Sequence, residues 1–137
     1  ETAKEYMVEI RGIAADVENL PAPTDSIGRA LTAGVDALSR TTEWLIEKGT
    51  DVPGRAFAGA TAYLELFGIV AGGALMARSA ITAARSLSGN PENATFYEAK
   101  LATARYYALH ILPRAEILAT SVSEGADVIL DLPEDAF

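Results

Sequence analysis

The chain has 137 residues, of which 50% are hydrophobic and 22% are charged, and it carries a formal net charge of −8. This length predicts one domain with a single core, and the composition argues against a disordered chain. Cysteine is absent, which excludes disulfide scaffolds, thiolate metal sites and cysteine nucleophiles. The acidic balance, strongest after Arg114, disfavours nucleic acid and anionic membranes as partners, although acids retained for solubility are the favoured explanation.

The first twenty residues lack the apolar segment of a signal peptide, and this absence together with the missing cysteines predicts a cytoplasmic protein. The chain also begins without methionine, inside a helical pattern. We therefore expect residues 1–137 to form a single helical domain that is a fragment of a longer protein.

The first predicted helix is amphipathic, with apolar residues at steps of four and three. Its stripe consists of Tyr6, Ile10, Ile13, Val17 and Leu20. Prolines at 21 and 23 end it, because proline lacks the backbone N–H and restricts the residue before it.

The second predicted helix follows three candidate N-caps at residues 24–26. Its apolar stripe is Ile27, Leu31, Gly34, Leu38 and Leu45. Gly49 is expected to end it in a left-handed conformation. The third helix is expected to start near Asp51 and Pro53 and to run to Leu87, before a turn at 89–91.

The fourth predicted helix has the most regular pattern, and Asn93 stands where its N-cap would be. Its stripe is Tyr97, Leu101, Ala104, Ala108, Ile111, Ala115, Leu118 and Val122. The pattern continues in phase past Pro113, which predicts a kink there and not a break. Gly125 is the expected end, leaving residues 126–137 as an irregular tail.

Helices of this length joined by short connections predict an all-α fold, an up-and-down antiparallel bundle of about four helices. No segment alternates with the period of a strand, so a β-rich fold has little support.

The stretch LFGIVAGGALMA at residues 66–77 allows three interpretations. As a membrane span it would place Glu65 near the middle of the apolar run, at a cost of roughly 2.5 kcal/mol or more. As a phosphate-binding loop it lacks a preceding strand, the required glycine spacing and a lysine. The core helix of a bundle is therefore the favoured interpretation, with no membrane span.

One face of this helix carries small residues that would allow close approach of a neighbour: Ala58, Thr61, Glu65, Gly68 and Gly72. In an antiparallel hairpin that turns near residue 90, Glu65 lies opposite Arg114, with His110 one turn away. We predict a structural ion pair between Glu65 and Arg114, with a ligand contact as the alternative.

No catalytic, cofactor-binding or metal site is predicted within this chain. His110 is the only histidine, which excludes two-histidine metal sites, and no nucleophile elbow or oxyanion loop is recognisable. His110 is instead interpreted as a packing residue. The predicted structural and packing residues are Glu65, Gly68, Gly72, His110, Pro113 and Arg114.

Three segments carry a more specific signal: residues 63–78 (YLELFGIVAGGALMAR), residues 96–107 (FYEAKLATARYY) followed by LPRA at 112–115, and the ending at 125–127 and 132–137. In order and spacing they resemble the extra C-terminal helical domain of one acyl-CoA dehydrogenase branch, which includes the methylmercaptopropionyl-CoA dehydrogenases.

The resemblance implies a parent flavoenzyme that uses FAD to oxidise an acyl-CoA thioester to the α,β-enoyl-CoA, with its catalytic and flavin-binding segments outside this chain. The domain is then expected to pack against the catalytic domain and a second protomer and to stabilise a homo-oligomer. Two alternatives remain open: a free-standing protein-interaction module, and a small-ligand-binding bundle that uses the tyrosines and Arg105 or Arg114.

Overall fold

The computed structural model describes residues 2–49, 51–52 and 54–136, and no strand occurs in these ranges. The helices are α1 (Ala3–Glu18), α2 (Asp25–Lys48), α3 (Arg55–Ser88), α4 (Ala94–His110) and α5 (Arg114–Leu130), followed by a short 3-10 helix at Glu134–Ala136. The predicted all-α class is confirmed. Because α4 and α5 continue one another across a bend, the described chain folds as four helices packed together.

Contacts between side chains show that α1 and α2 are antiparallel. The Thr32 hydroxyl of α2 donates a hydrogen bond to Glu18 at the end of α1, at 3.1 Å. Arg11, earlier in α1, pairs with Asp36, later in α2. The order of contacts therefore reverses between the two helices.

The bent helix runs antiparallel to α3 over its whole length. Arg55 at the start of α3 pairs with Asp127 near the end of α5, at 2.7 Å. Further along α3, the Ile69 carbonyl accepts a hydrogen bond from Tyr107 of α4, at 3.0 Å. α2 and α3 are also antiparallel, because Thr42 near the end of α2 forms a hydrogen bond with Tyr63 near the start of α3, at 2.9 Å. Successive helices therefore alternate in direction, as in an up-and-down bundle.

The hydrophobic core lies around α2 and α3, which contact each other and every other helix. The largest fully buried side chains come from four of the five helices: Ile10, Val17, Ile27, Leu31, Val35, Leu38, Leu66, Val70 and Val122. Alanines make up much of the core that α3 and the bent helix contribute: Ala74, Ala77, Ala80, Ala104, Ala108 and Ala115.

The bend lies at Pro113, as predicted. Proline has no N–H to donate to the preceding turn. The N–H groups of Ile111 and Leu112 both bond to the Tyr107 carbonyl, at 2.9 and 3.0 Å, and α5 begins directly after the proline. The apolar stripe continues across the bend, with Ala108 and Ala115 both buried.

Several predicted helix ends differ from the structure. Gly49 is right-handed, with φ −66°, and the left-handed glycine is Gly54, φ 93°, immediately before α3. Pro53 lies outside the described residues. α5 passes Gly125, whose neighbourhood is open enough for a helical residue, and ends at Leu130, so the first five residues of the expected tail are helical.

Candidate interaction surface

The predicted ion pair between Glu65 and Arg114 is present, with 2.6 Å between carboxylate and guanidinium. It joins α3 to the first residue of α5, which the bend at Pro113 turns towards α3. Both side chains remain about half exposed. The pair therefore lies at the surface, where such interactions contribute about 0–1 kcal/mol, and it does not compensate a buried charge.

The two glycines of the predicted close-packing face differ. A Cβ on Gly72 would collide with the Tyr107 hydroxyl, so the bent helix packs closely on that residue. A Cβ on Gly68 would meet nothing within 4 Å, so no described part of this chain packs closely there. Two other glycines also face the bent helix: a Cβ on Gly59 would lie 3.0 Å from Val122, and one on Gly73 would lie 2.7 Å from Leu112. The small residues of α3 alone did not show which face of that helix is buried.

Tyr107 is the polar residue at this contact, and sequence reasoning treated it only as a general packing aromatic. Its hydroxyl donates to the Ile69 carbonyl beside Gly72. Burial raises the pKa of the Tyr107 phenol above its usual value, and the positive charge of Arg114 acts in the opposite direction. The neutral phenol is thus held as a hydrogen-bond donor between α4 and α3.

His110 and Pro113 lie at the surface of the bend. His110 is exposed and stacks on Tyr106, with 4.4 Å between ring centroids. His110 therefore packs against an aromatic neighbour at the surface and not in the core, because the alanines at 104 and 108 occupy the buried side of α4. Pro113 is exposed and shapes the bend through its backbone.

The side of α3 that turns away from the bundle is apolar, and we call it the open face. Steps of three, four and seven residues keep its exposed members on one side of the helix: Phe57, Ala60, Thr61, Leu64, Gly68 and Leu75. Phe57 is 85% exposed, Leu64 73% and Leu75 61%. The open face extends for about 27 Å along the helix, and the exposed Glu65, paired with Arg114, lies at its edge.

A second uncharged row lies on α4, which runs beside the C-terminal half of α3. Its members are spaced by three and four residues and are all exposed: Phe96, Ala99, Thr103, Tyr106 and His110. Phe96 of this row lines a groove together with Arg78 and Thr82 of α3. We call it the α4 row.

A further group of exposed apolar side chains lies at the end of the bundle where α2 and α5 finish. Its members are Ile46, Val52, Val128, Ile129, Leu130 and Leu132. Leu130 lies 3.3 Å from where a Cβ on Gly54 would be, so this end cluster adjoins the start of α3.

The grooves between the described helices are small and open, at about 150–330 Å³. Ligand pockets usually hold about 300–1,000 Å³ and enclose their ligand. In the groove between α3 and α4, Arg78 pairs with Glu9 and Lys100 lies 5.2 Å from the Phe96 ring centroid. Both cations are therefore engaged within the chain. Within the described ranges no group of three or more acidic or histidine side chains is placed to hold a metal.

By length and composition α3 could cross a membrane, and 44% of its apolar window is buried in the bundle. The core helix of a bundle meets the same two criteria. Because α3 contacts all the other helices, the bundle interpretation accounts for its buried side, and only the open face requires another explanation.

Together, these features define a class: a helical bundle whose described surface carries exposed apolar areas and ion pairs, without an assembled catalytic constellation. The chain matches the family described as Acetyl-CoA dehydrogenase C-terminal like over residues 6–133, and it therefore belongs to that family. No curated protein and no solved structure matches it. Acyl-CoA dehydrogenases are FAD-dependent, and a C-terminal domain of this kind implies a catalytic domain as its partner.

Proposed function

We propose that this bundle is an accessory domain, inert on its own, that docks on the catalytic domain of an acyl-CoA dehydrogenase and on a second protomer and so stabilises the homo-oligomer. The parent enzyme would use FAD to oxidise an acyl-CoA to the α,β-enoyl-CoA, and would fall in the methylmercaptopropionyl-CoA dehydrogenase-like branch. We place it in the cytoplasm. The observation that carries the proposal is the exposed apolar surface on a chain of this family.

The physical argument rests on the cost of leaving that surface in water. Burial of apolar surface contributes about 25 cal/mol per Å². Contiguous apolar areas of several hundred Å² on a domain are typical of interaction sites. Phe57, Leu64 and Leu75 are more exposed than a folded domain needs, since none of them contributes to its core.

The end cluster supports a second contact. It combines side chains from the end of α2, the connection to α3 and the end of α5. We assign to it the contact with the catalytic domain, because the open face is a flat helix surface whereas the end cluster is an irregular corner that a differently shaped partner can cover.

A substitution in the whole enzyme tests this assignment. We expect Ile129→Asp to weaken docking of the bundle, measured as increased proteolysis of the junction and a lower melting temperature of the enzyme. Ile117→Asp is the matched control, because Ile117 is also an exposed isoleucine of α5 but belongs to neither apolar surface. Equal effects of the two substitutions would contradict the assignment.

Removal of the bundle tests the function as a whole. We expect the enzyme without residues 1–137 to lose oligomeric state in sedimentation, while the separate bundle shows no flavin absorbance and no thermal shift with acyl-CoA. A ligand present at about 100 times its dissociation constant would add about 2.7 kcal/mol of stability. Flavin binding or acyl-CoA turnover by the bundle alone would overturn the inert-domain proposal.

A further inference from the structure

We propose that the open face of α3 is a two-fold interface, on which a second copy of this chain places its own open face in the antiparallel direction, with Gly68 at the symmetry axis. The proposal rests on the proposed function, because it assigns the contact with the second protomer to a defined surface.

The first argument is the position of Gly68. A glycine inside a helix destabilises it by roughly 0.5–1 kcal/mol relative to alanine. Gly59, Gly72 and Gly73 each face a neighbouring helix of this chain that a Cβ would press against. Gly68 faces open space, so no neighbour among the described residues requires a glycine there. Close approach of a second backbone does require one.

The second argument is that the open face is complementary to itself. In an antiparallel pair of α3 helices centred on Gly68, a residue that precedes Gly68 by a given number of positions faces the residue of the other copy that follows Gly68 by the same number. Leu75 of each copy then faces Thr61 of the other, while Gly68 faces Gly68. Large side chains thus meet small ones, which is the isologous pattern that two-fold symmetry demands.

The third argument concerns charge. The chain carries a net charge of −8, so two copies repel each other over most of their surface. The open face has no charged member, and Glu65 at its edge is paired with Arg114. Two acidic copies can therefore meet there with the least repulsion.

The fourth argument is area. The open face alone offers about 300 Å² per copy, from its length and the width of a helix. The two-fold arrangement places the α4 row of each copy beside the N-terminal half of α3 of the other, where Phe57 is exposed. With this row the interface reaches about 500 Å² per copy, or about 1,000 Å² in total, the lower limit for a specific interface.

Cysteine cross-linking of the separate bundle tests the geometry, because residues 1–137 contain no cysteine and each new thiol is unique. At a helix separation of about 8–9 Å, the Cα atoms of two residues on the axis lie about 4–5 Å apart, close enough for a disulfide. We expect Gly68→Cys to form a disulfide-linked dimer under mild oxidation. Leu75→Cys should not, since the two copies would be about 21 Å apart along the helices.

Gly12→Cys is the matched control, because Gly12 is also a helical glycine whose Cβ would meet nothing within 4 Å, but it lies on α1. Absence of the Gly68 cross-link, or equal cross-linking at Gly12 or Leu75, would overturn the two-fold antiparallel interface.

A charge substitution tests its energetics. We expect Gly68→Glu to raise the dimer dissociation constant about tenfold or more in sedimentation, because it places two like charges at the axis. Gly12→Glu, which adds the same charge elsewhere, should change it less than about threefold. Helical circular dichroism should be retained by both, since both positions have room for a side chain. Equal dissociation constants would overturn the proposal.

The whole enzyme separates this proposal from the function on which it rests. If removal of the bundle breaks the oligomer while Gly68→Glu leaves it intact, the docking function stands and this interface is overturned. If the bundle dimerises through Gly68 while its removal leaves the enzyme oligomer unchanged, the interface stands and the docking function fails.

Discussion

α1 and α3 both pack against α2, yet their solvent-facing sides differ. α1 buries Ile10, Ala14 and Val17, and its outer side is charged: Lys4, Glu5, Glu9, Arg11, Asp16 and Glu18. α3 buries one side equally well, but its outer side is the uncharged open face. A helix with one apolar side has its partners within the bundle. A helix with two apolar sides indicates a partner outside it.

The largest expected effect separates the two sides of α3 at positions two residues apart. Leu66 is fully buried and Leu64 is exposed. We expect Leu66→Ala to lower the free energy of unfolding by about 2–5 kcal/mol, because it leaves a cavity. Leu64→Ala should change it by less than about 0.5 kcal/mol. Urea unfolding at low protein concentration measures both values, and similar losses would erase the distinction between the sides.

The next effect compares two glycines of α3 four residues apart. We expect Gly72→Ala to lower stability by about 1–3 kcal/mol, because the new methyl group displaces the Tyr107 hydroxyl. Gly68→Ala should raise the stability of the monomer by about 0.5–1 kcal/mol, because alanine favours the helix and meets no neighbour. Thermal unfolding of dilute samples shows whether each substitution raises or lowers stability. A change in the same direction for both would contradict the difference between the two glycines.

A smaller effect concerns the hydrogen bond from Tyr107 to the Ile69 carbonyl. Its loss in Tyr107→Phe should lower stability by about 0.5–1.5 kcal/mol. Burial raises the folded-state pKa of this phenol above 10.0, so the folded state holds the proton more tightly than the unfolded one. The stabilisation that this pKa difference gives the folded state is fully present below pH 10, and it is lost as pH rises through the folded-state pKa. Between pH 9 and about 11.5, the free energy of unfolding measured with urea should therefore decline less steeply in Tyr107→Phe than in the unsubstituted protein.

The smallest expected effect belongs to the ion pair at the edge of the open face. Both partners are about half exposed, so a double-mutant cycle of Glu65→Gln and Arg114→Gln should give a coupling energy below about 1 kcal/mol. The coupling should fall further at 1 M salt because of screening. A coupling of several kcal/mol would indicate a desolvated pair that the structure does not show.

The helical periods were the most predictable feature. The stripes containing Ile10 and Val17 in α1, Leu31 and Leu38 in α2, and Ala104 and Ala108 in α4 are buried as expected. The bend at Pro113 was also predictable, since it depends on a single missing N–H. Helix ends were less so: α2 does end at Gly49, but in a right-handed conformation and not the expected left-handed one, whereas α5 continues past Gly125 to Leu130.

The candidate surface could be predicted only in part. The contact between Glu65 and Arg114 follows from antiparallel helices and a turn near residue 90, so the sequence was sufficient. The burial of Gly72 and the exposure of Gly68 could not be separated, because α3 is apolar all the way round and its sequence does not indicate which side meets the bundle. The sequence likewise did not indicate that His110 packs at the surface, because small alanines occupy the buried side of α4.

By itself, the sequence determined the helices, their antiparallel order, the bend and the family, because these depend on local periodicity, on proline and on the order of short motifs. Tertiary structure alone decided which side of α3 faces water. The neighbours of α3 cover only part of its circumference, and where α1 and α4 lie against it depends on packing by residues distant in the chain, such as Tyr6 on Phe67 and Tyr107 on Gly72. The open face is the part of α3 that these neighbours leave uncovered, and no local pattern within α3 identifies it.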